Sequence, residues 1–185
     1  PMVGYARTAT IRAKEVSPLK PEASAQIRLD YYKHMEGGSE PGICVIEDID
    51  DEPGYGAHWG EVQTNIHKGL GCLGVVTNGS VRDIPDSAPG FQMLAGEIGP
   101  SHAFVYVVDY GLEVTVAGMT VRPGDLIHAD IHGAVVIPSD DVARKIPAAV
   151  DLISRREAVL IGAAQADGFN FDKLAEAIKD SGEIH

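Results

Sequence analysis

The segment GLGCLGVVTNGSVRD, residues 69–83, is the part of the chain from which the fold is predicted. Its apolar run, residues 73–76, predicts a buried strand, and Asn78-Gly79 predicts the turn that ends the strand. Arg82 and Asp83 follow just after this turn, near the end of the strand. A guanidinium can bind a carboxylate through two hydrogen bonds, and a carboxylate can bind a hard divalent cation. Side by side they suit an enzyme that binds a keto acid on a metal, although a surface ion pair is the simpler explanation of an arbitrary Arg-Asp.

A helix is predicted just upstream, over residues 61–68, with Gly60 before it. Apolar residues fall four apart on one face of this helix: Val62, Ile66 and Leu70. The first backbone N–H groups of a helix have no intrahelical partner and suit an anion. The chain then passes through a tight glycine turn into the strand. In a layered fold this path can bring the helix start close to Arg82-Asp83.

The glycines of residues 69–74 match the dinucleotide pattern G-x-G-x-x-G. That fingerprint needs a strand before it and a helix after it, so that the pyrophosphate meets the helix N-terminus. Here the helix comes first, and no acidic residue ends a plausible second strand about 20 residues later. We therefore expect these glycines to cap the helix and turn the chain, and we do not expect a nucleotide site.

Composition limits the classes of partner. The chain has 185 residues and a formal net charge of −12, which disfavours nucleic acid and anionic membranes. No apolar run approaches the ~20 residues of a membrane span. The only cysteines are Cys44 and Cys72. We expect two buried, reduced thiols and a cytoplasmic protein.

The remaining elements predict a layered α/β domain with C-terminal helices, one domain over residues 1–185. We expect a helix over residues 23–35, strands over 43–46 and 103–108, and strands and hairpins over 112–138, with turns at 122–125 and 132–133. Ser139 and Asn170 are expected to cap helices, and Pro147 to start a new helix or kink the first one.

The chain resembles the 4-hydroxy-4-methyl-2-oxoglutarate/4-carboxy-4-hydroxy-2-oxoadipate aldolase family, which shares its fold with the regulator of ribonuclease activity A. The resemblance covers nearly the whole chain, and its marks are Gly60-Glu61, Val81-Arg82-Asp83, Asp86 and the segments 3–10, 121–126 and 129–138. It implies the swivelling β/β/α three-layer fold, with a homotrimer or a dimer of trimers. Family members usually have a helical segment before the first core strand, and we expect this chain to lack it.

The resemblance also implies roles for individual residues. Arg82 would bind the pyruvyl carboxylate and stabilise the enolate, and Asp83 would be the one direct protein ligand of Mg²⁺ or Mn²⁺. The backbone of Gly60, Glu61, Val62 and Gln63 would bind the substrate's carboxylate end. Glu61 would also hold metal-bound waters. Asp86, which the regulatory relatives tend to lack, completes the signature of the catalytic branch.

The expected activity is that of a class II, metal-dependent pyruvate aldolase. It would cleave a 4-hydroxy-2-oxo diacid to pyruvate and a second oxo acid, and it would decarboxylate oxaloacetate as a side activity. No lysine lies within an apolar strand, where a Schiff base would form, and no nucleophilic triad is present. Two alternatives stay open: a non-catalytic regulator that binds a ribonuclease or helicase, and a metal-dependent lyase acting on another oxo acid.

Three further features have both a functional and a structural interpretation. His128, Asp130 and His132 alternate and could hold zinc on one strand face, but a polar hairpin end is the simpler interpretation. His58 could touch substrate or carry a proton, against a structural or surface role. Glu157 falls roughly where catalytic members offer an acid to a neighbouring subunit's metal waters, and a solvated helix face explains it about as well.

Overall fold

The computed structural model describes residues 1–185, which divide into two compact units, Pro1–Ile137 and Pro138–His185. The first unit has two helices, α1 (Pro21–Glu36) and α2 (Glu61–Gly69), and the second has α3 (Asp140–Gln165) and α4 (Phe171–Gly182). All strands belong to the first unit: β1 (Met2–Arg12), β2 (Gly42–Asp48), β3 (Ala57–Trp59), β4 (Cys72–Thr77), β5 (Ser80–Val81), β6 (Gln92–Leu94), β7 (Glu97–Ile98), β8 (Tyr106–Tyr110), β9 (Val114–Val116), β10 (Met119–Val121), β11 (Leu126–Asp130) and β12 (Gly133–Ile137). None of the helices is long and apolar enough to cross a membrane. The expectation of one domain over residues 1–185 stays a prediction.

The main sheet has seven strands. Six lie in the order β12-β11-β1-β2-β4-β6, and β8 pairs with the other end of the long strand β1. The pairs β1–β2, β2–β4 and β4–β6 are parallel, whereas β11 and β8 run antiparallel to β1. A mixed sheet of this kind, with helices in the parallel crossovers, is the α/β class that the sequence predicted.

Both faces of the central strand β2 are buried. Cys44 and Ile46 belong to one apolar cluster, which also contains residues of helix α1 and of the strands next to helix α2. Ile43 and Val45 belong to a second apolar cluster. Successive side chains of a strand point to opposite faces, so the sheet is covered on both sides. The helices α1 and α2 pack over one face, and the hairpin of β9 and β10 packs over the other. This layered arrangement confirms the predicted fold class.

A second, smaller sheet positions the residues of interest. Its three parallel strands lie in the order β3-β5-β7, and Trp59 pairs with Val81. The backbone N–H of Arg82 donates to the carbonyl oxygen of Trp59 at 2.8 Å. Gly60 follows β3 and Arg82 follows β5, so the two segments leave the sheet side by side.

Most predicted elements are present with small shifts at their ends. Residues 61–68 lie in α2, residues 23–35 in α1, and the strands predicted at 43–46 and 73–76 are β2 and β4. The helix-first order around the glycines is confirmed, since α2 ends at Gly69 and β4 begins at Cys72. Residues 112–138 form the strands β9 to β12. The cap predictions are also confirmed, because the side chains of Ser139 and Asn170 accept hydrogen bonds from Val142 N and Lys173 N.

One boundary prediction is wrong. The strand expected over 103–108 begins only at Tyr106, because Ala103 has φ +47° and lies in a turn rather than in extended backbone. Of the two alternatives for Pro147, a new helix is excluded, because Pro147 lies inside the continuous helix α3. A kink of α3 at Pro147 stays a prediction.

The buried face of α2 also differs from the prediction. Its buried residues are Thr64 and His67, while Val62 is 61 % exposed. The polar pair is tolerated in the core because hydrogen bonds satisfy it. The Thr64 hydroxyl donates to Gly60 O and accepts from Ala88 N, each at 3.0 Å, and His67 bonds to Tyr31. Apolar spacing therefore predicted the helix correctly but not its orientation.

Candidate functional site

The site is built around a close approach between Gly60 and the Arg82-Asp83 pair. A Cβ atom placed on Gly60 would lie 2.7 Å from Asp83 Oδ2 and 3.2 Å from Arg82 Cζ. A carbon atom cannot stay that close to a carboxylate oxygen, so the absence of a side chain at residue 60 lets both charged groups lie against the start of α2. The sequence-based expectation that the helix start and the strand end come together is met.

The N-terminus of α2 is uncapped. No side chain caps Gly60, and the first backbone hydrogen bond of the helix runs from Thr64 N to Gly60 O at 3.0 Å. The N–H groups of residues 61–63 precede that bond and carry the positive end of the helix dipole. Glu61 and Val62 have exposed side chains. The Gln63 side chain accepts from Tyr32 Oη at 3.1 Å, which leaves its backbone as the part that can meet a ligand.

Arg82 and Asp83 form an ion pair through Nη1 and Oδ2. Their side chains remain 27 % and 35 % exposed, so solvent and ligands can reach them. Arg82 Nε is buried and has no hydrogen-bond partner. A buried donor without a partner is unusual in a folded protein. Asp83 contacts Nη1 alone, so the guanidinium keeps further N–H groups for a ligand.

The backbone holds Asp83 in an uncommon conformation. Its φ is +51°, in the left-handed region, and a short 3₁₀ turn, Ile84–Asp86, follows it. The carbonyl oxygen of Asp83 accepts hydrogen bonds from Asp86 N and from the Ser87 hydroxyl, both at 3.0 Å. Asparagine and aspartate tolerate this conformation better than most residues. The turn fixes the direction of the Asp83 carboxylate and leaves Asp86 exposed.

The acids near the site do not form a multidentate metal cage. The structure contains no group of three or more His, Cys, Asp or Glu side chains that could together hold a metal ion. Zinc sites need three or four protein ligands, whereas Mg²⁺ keeps several waters and binds through one or two carboxylates. A single partly exposed Asp83, with Glu61 at the neighbouring helix start, fits the second kind of ion.

His58 is buried rather than part of the surface. Its ring centroid lies 5.3 Å from that of Trp59, 6.3 Å from that of Tyr31 and 6.4 Å from that of His67, and neither ring nitrogen has a partner. Burial, with a smaller contribution from His67, lowers the pKa of His58 to about 3. The imidazole is therefore neutral at physiological pH, which disfavours the suggested role as a proton carrier near its usual pKa.

The other two candidates lie elsewhere. His128 and Asp130 are on β11, but His132 is in the exposed turn after it, and the His132 and Asp130 side chains form only a local pair at 3.4 Å. The zinc alternative therefore has no support. Glu157 is an exposed residue of α3 in the second unit and takes part in no ion pair.

An apolar groove of about 830 Å³ borders the segment that carries Arg82 and Asp83. Val81 and Ile84, on either side of the pair, are among its lining residues, together with Phe91, Met93 and Ile98. No lysine or arginine lines this groove. It suits the apolar part of a ligand better than a second carboxylate.

The sequence analysis missed Thr64 as a residue that shapes the site. Its hydroxyl joins the start of α2 to Ala88, in the segment that follows the 3₁₀ turn. The only available signal was the spacing of four residues from Gly60, which matches a helical side chain that bonds back to the preceding turn.

A family model described as RraA-like, Aldolase/RraA, matches residues 2–136. Protein DlpA of Legionella pneumophila is 31% identical over 90 residues, which cover 44% of this chain and 14% of that protein. An uncharacterized protein of Methanocaldococcus jannaschii, MJ0644, is 30% identical over 122 residues, or 63% of this chain and 59% of that protein. The chain thus matches less than two thirds of the length of either curated relative.

A solved structure from this family has a fold similar to that of this chain. Streptomyces coelicolor RraAS2, described as an unusual member of the RNase ES inhibitor RraA protein family, superimposes with a TM-score of 0.63. Sequence identity is 23%, and the match covers 84% of this chain and 74% of that one. This likeness concerns the fold alone. Since the family model covers most of the chain, including Gly60, Arg82 and Asp83, the protein belongs to the RraA-like (Aldolase/RraA) family.

Proposed function

We propose that this protein is a divalent-metal-dependent lyase that cleaves a 4-hydroxy-2-oxo diacid to pyruvate and a second oxo acid, with decarboxylation of oxaloacetate as a side activity. The observation that carries the proposal is the close approach of Arg82 and Asp83 to Gly60 at the start of α2, with 2.7 Å between Asp83 Oδ2 and a Cβ placed on Gly60. It joins a cation, an anion-binding helix start and a metal-binding carboxylate in one place.

Each residue then has a defined task. Arg82 binds the substrate carboxylate through guanidinium N–H groups that Asp83 does not use, and it stabilises the negative charge that develops when the C3–C4 bond breaks. The backbone N–H groups of residues 61–63 bind the other carboxylate end at the positive end of the helix dipole. Glu61, at the first helical position, can accept hydrogen bonds from water molecules near Asp83.

The donor set fits magnesium or manganese. Asp83 would be the direct ligand, because only one of its carboxylate oxygens is used by Arg82 and its side chain is 35 % exposed. When bound, such an ion would supply Lewis-acid polarisation of the 2-oxo group. Arg82 next to Asp83 has a second effect: their ion pair holds the Asp83 carboxylate beside the helix start.

The function is tested by a pyruvate-release assay on the purified protein. The panel contains 4-hydroxy-2-oxo diacids, a 4-hydroxy-2-oxo monoacid with an apolar tail, and oxaloacetate, each with Mg²⁺ and with excess chelator. Metal-dependent pyruvate release from a diacid supports the proposal. Release only from the apolar monoacid would move the substrate class to another oxo acid, which agrees with a groove that no lysine or arginine lines.

A non-catalytic regulatory function is the second candidate. The observation that favours it is the fold likeness to RraAS2, a protein described as belonging to an RNase inhibitor family. In that case no member of the panel releases pyruvate with any divalent metal. Inhibition of a purified ribonuclease by this protein, unchanged in an Asp83→Ala variant, would then identify a surface function separate from the site.

The expected assembly is a homotrimer or a dimer of trimers, in which Glu157 of one subunit supports the Asp83 site of its neighbour. The exposed position of Glu157 and its lack of an ion-pair partner leave it available for such a contact. The two preceding arginines have other partners: Arg155 pairs with Asp151, and Arg156 donates to Ile184 O.

A further inference from the structure

Arg7, Cys44 and Cys72 form a cluster that the proposed reaction does not use. Arg7 is paired with Cys44 in the parallel register of β1 and β2, and Cys72 is paired with Gly42 in that of β2 and β4. Residues 42 and 44 are two apart on one strand, so they face the same side of the sheet. Three neighbouring strands therefore place a guanidinium and two thiols on one face, and all three residues are buried.

The Arg7 guanidinium has no carboxylate partner although the residue is only 7 % exposed. Its N–H groups donate to the carbonyl oxygens of Met35, Leu70 (3.2 Å) and Glu40 (2.8 Å), and Nη1 also lies 3.6 Å from Cys72 Sγ. A buried cation is costly unless negative charge balances it. Among the four partners, only Cys72 can become a full anion.

The surroundings hold this cation in place. A Cβ atom on Gly42 would lie 2.4 Å from Arg7 Cζ, and one on Gly37 would lie 2.6 Å from Arg7 Nε. The guanidinium thus fills space that two missing side chains leave open. A fixed positive charge beside the thiols opposes metal binding and favours a thiolate.

The two thiols differ in chemical character. A hydrogen bond with Cys44, and then the charge and hydrogen bond of Arg7, lower the pKa of the Cys72 thiol against the opposing effect of burial. Burial raises the pKa of the Cys44 thiol. Tyr31 is the other titratable group facing them, and burial keeps its pKa above the usual value, so it stays neutral. The pair has one thiol suited to attack and one that remains protonated.

We propose that Cys72 and Cys44 form a reversible oxidation site for a small peroxide, with Cys72 as the attacking thiolate and Cys44 as the resolving thiol. The Cys72 sulfur attacks hydrogen peroxide, the O–O bond breaks, hydroxide leaves, and a sulfenic acid forms as sulfur loses two electrons. The Cys44 sulfur then attacks the sulfenic sulfur. The S–S bond forms, the S–O bond breaks, and the hydroxyl group leaves as water with the Cys44 proton.

The test treats the native protein with hydrogen peroxide and follows intact mass and differential alkylation. We expect the wild-type chain to lose the mass of two hydrogen atoms, to remain a single chain on a non-reducing gel, and to recover with dithiothreitol. The Cys44→Ser variant should instead gain one oxygen atom at Cys72 and react with a sulfenic-acid probe, since serine keeps a hydrogen-bond donor at this position but cannot form a disulfide with the sulfenic acid.

The oxidation rates of the two single-cysteine variants decide which thiol attacks the peroxide. Cys72 in the Cys44→Ser chain should react about tenfold faster than Cys44 in the Cys72→Ser chain under native conditions, and at the same rate in denaturant. Equal native rates, or a faster Cys44, would overturn the assignment of Cys72 as the attacking thiol. Oxidation of the wild-type protein without formation of an intramolecular disulfide would overturn the proposal of a paired site.

Discussion

At the scale of single residues, the geometry of the candidate site depends on Gly60 more than on any other position. Arg82 and Asp83 lie over its Cα, in space that a methyl group would occupy. Glycine is thus required by a contact between the start of α2 and two charged side chains, and not by backbone conformation, since its φ of −163° is ordinary extended backbone.

Gly60→Ala should lower turnover by about a hundredfold, because the added methyl group forces Asp83 and Arg82 away from the helix start and small displacements of reacting groups are costly. The measurement is kcat/KM for pyruvate release, with circular dichroism to show that the chain is folded. Gly69→Ala, at the other end of helix α2, is the matched control, because a Cβ there meets no atom within 4 Å. Equal activity of the two variants would show that the close approach is not needed.

Arg82→Lys keeps the positive charge but loses the planar fork and the buried Nε donor. We expect kcat/KM to fall by roughly a hundredfold, as when a donor that stabilises developing charge is removed. Arg122→Lys serves as the control, because Arg122 is exposed and pairs only with Glu113. An unchanged rate in Arg82→Lys would make Arg82 a structural residue.

At the scale of elements, hydrogen bonds between buried polar groups hold the core-facing side of α2. Tyr31 Oη and His67 Nε2 are 2.7 Å apart, and His67 Nδ1 is 2.7 Å from Gln63 O, in the first turn of the helix. Because a carbonyl oxygen can only accept, Nδ1 carries a proton. Burial lowers the pKa of His67 to about 4, so the ring is neutral at physiological pH, and Nε2 then accepts from the tyrosine.

Because His58 and His67 are buried and neutral, we expect the folded chain to lose stability as the pH falls. The folded chain keeps His67 and His58 neutral, with pKa values of about 4 and about 3, while the unfolded chain binds protons at about 6.5. Their contribution to stability is complete above pH 6.5 and is lost as the pH falls, by about 1.4 kcal/mol per pH unit for each residue.

Urea unfolding between pH 7 and pH 5 measures this slope. Removing one of the two most strongly shifted groups with His67→Gln should lower the slope by about 1.4 kcal/mol per pH unit, whereas His132→Gln, at an exposed turn, should leave it unchanged. A slope that is the same in all three proteins would contradict the assignment of buried neutral histidines.

The elements also show what the sequence could and could not predict. Helix α2, strand β4 and the turn between them followed from local spacing and glycines, because these signals act over few residues. The burial of Thr64 and His67 in place of Val62 could not be predicted, since it depends on hydrogen bonds to Ala88 and Tyr31, which are distant in sequence. The contact of Gly60 with Arg82 was expected from the path of the chain, but the small sheet that fixes it has strands too short to predict.

At the scale of the whole molecule, the family model matches only the first of the two compact units. The family match ends at residue 136, within the first unit, and α3 and α4 follow it. Helix α3 is 26 residues long and has no buried residue. The role of Glu157 therefore rests on the earlier resemblance and on its exposure, and it stays a prediction.

Subunit mixing tests that prediction. If Glu157 of one subunit completes the Asp83 site of another, Glu157→Ala and Asp83→Ala proteins should each be inactive, and a mixture that exchanges subunits should regain part of the activity. Exchange is verified with a mass-tagged subunit. Full activity of Glu157→Ala alone, or no recovery despite exchange, would remove Glu157 from the site and leave the roles of Arg82 and Asp83 untouched.

The most direct test of the central claim is the metal dependence of the Asp83→Ala protein. We expect wild-type protein to release pyruvate from a 4-hydroxy-2-oxo diacid only with Mg²⁺ or Mn²⁺. We expect Asp83→Ala to show no release at any metal concentration while its circular dichroism and assembly state are unchanged. Wild-type turnover that persists in excess chelator, or an Asp83→Ala protein that remains fully active and still requires the metal, would contradict the claim that Asp83 holds the catalytic ion.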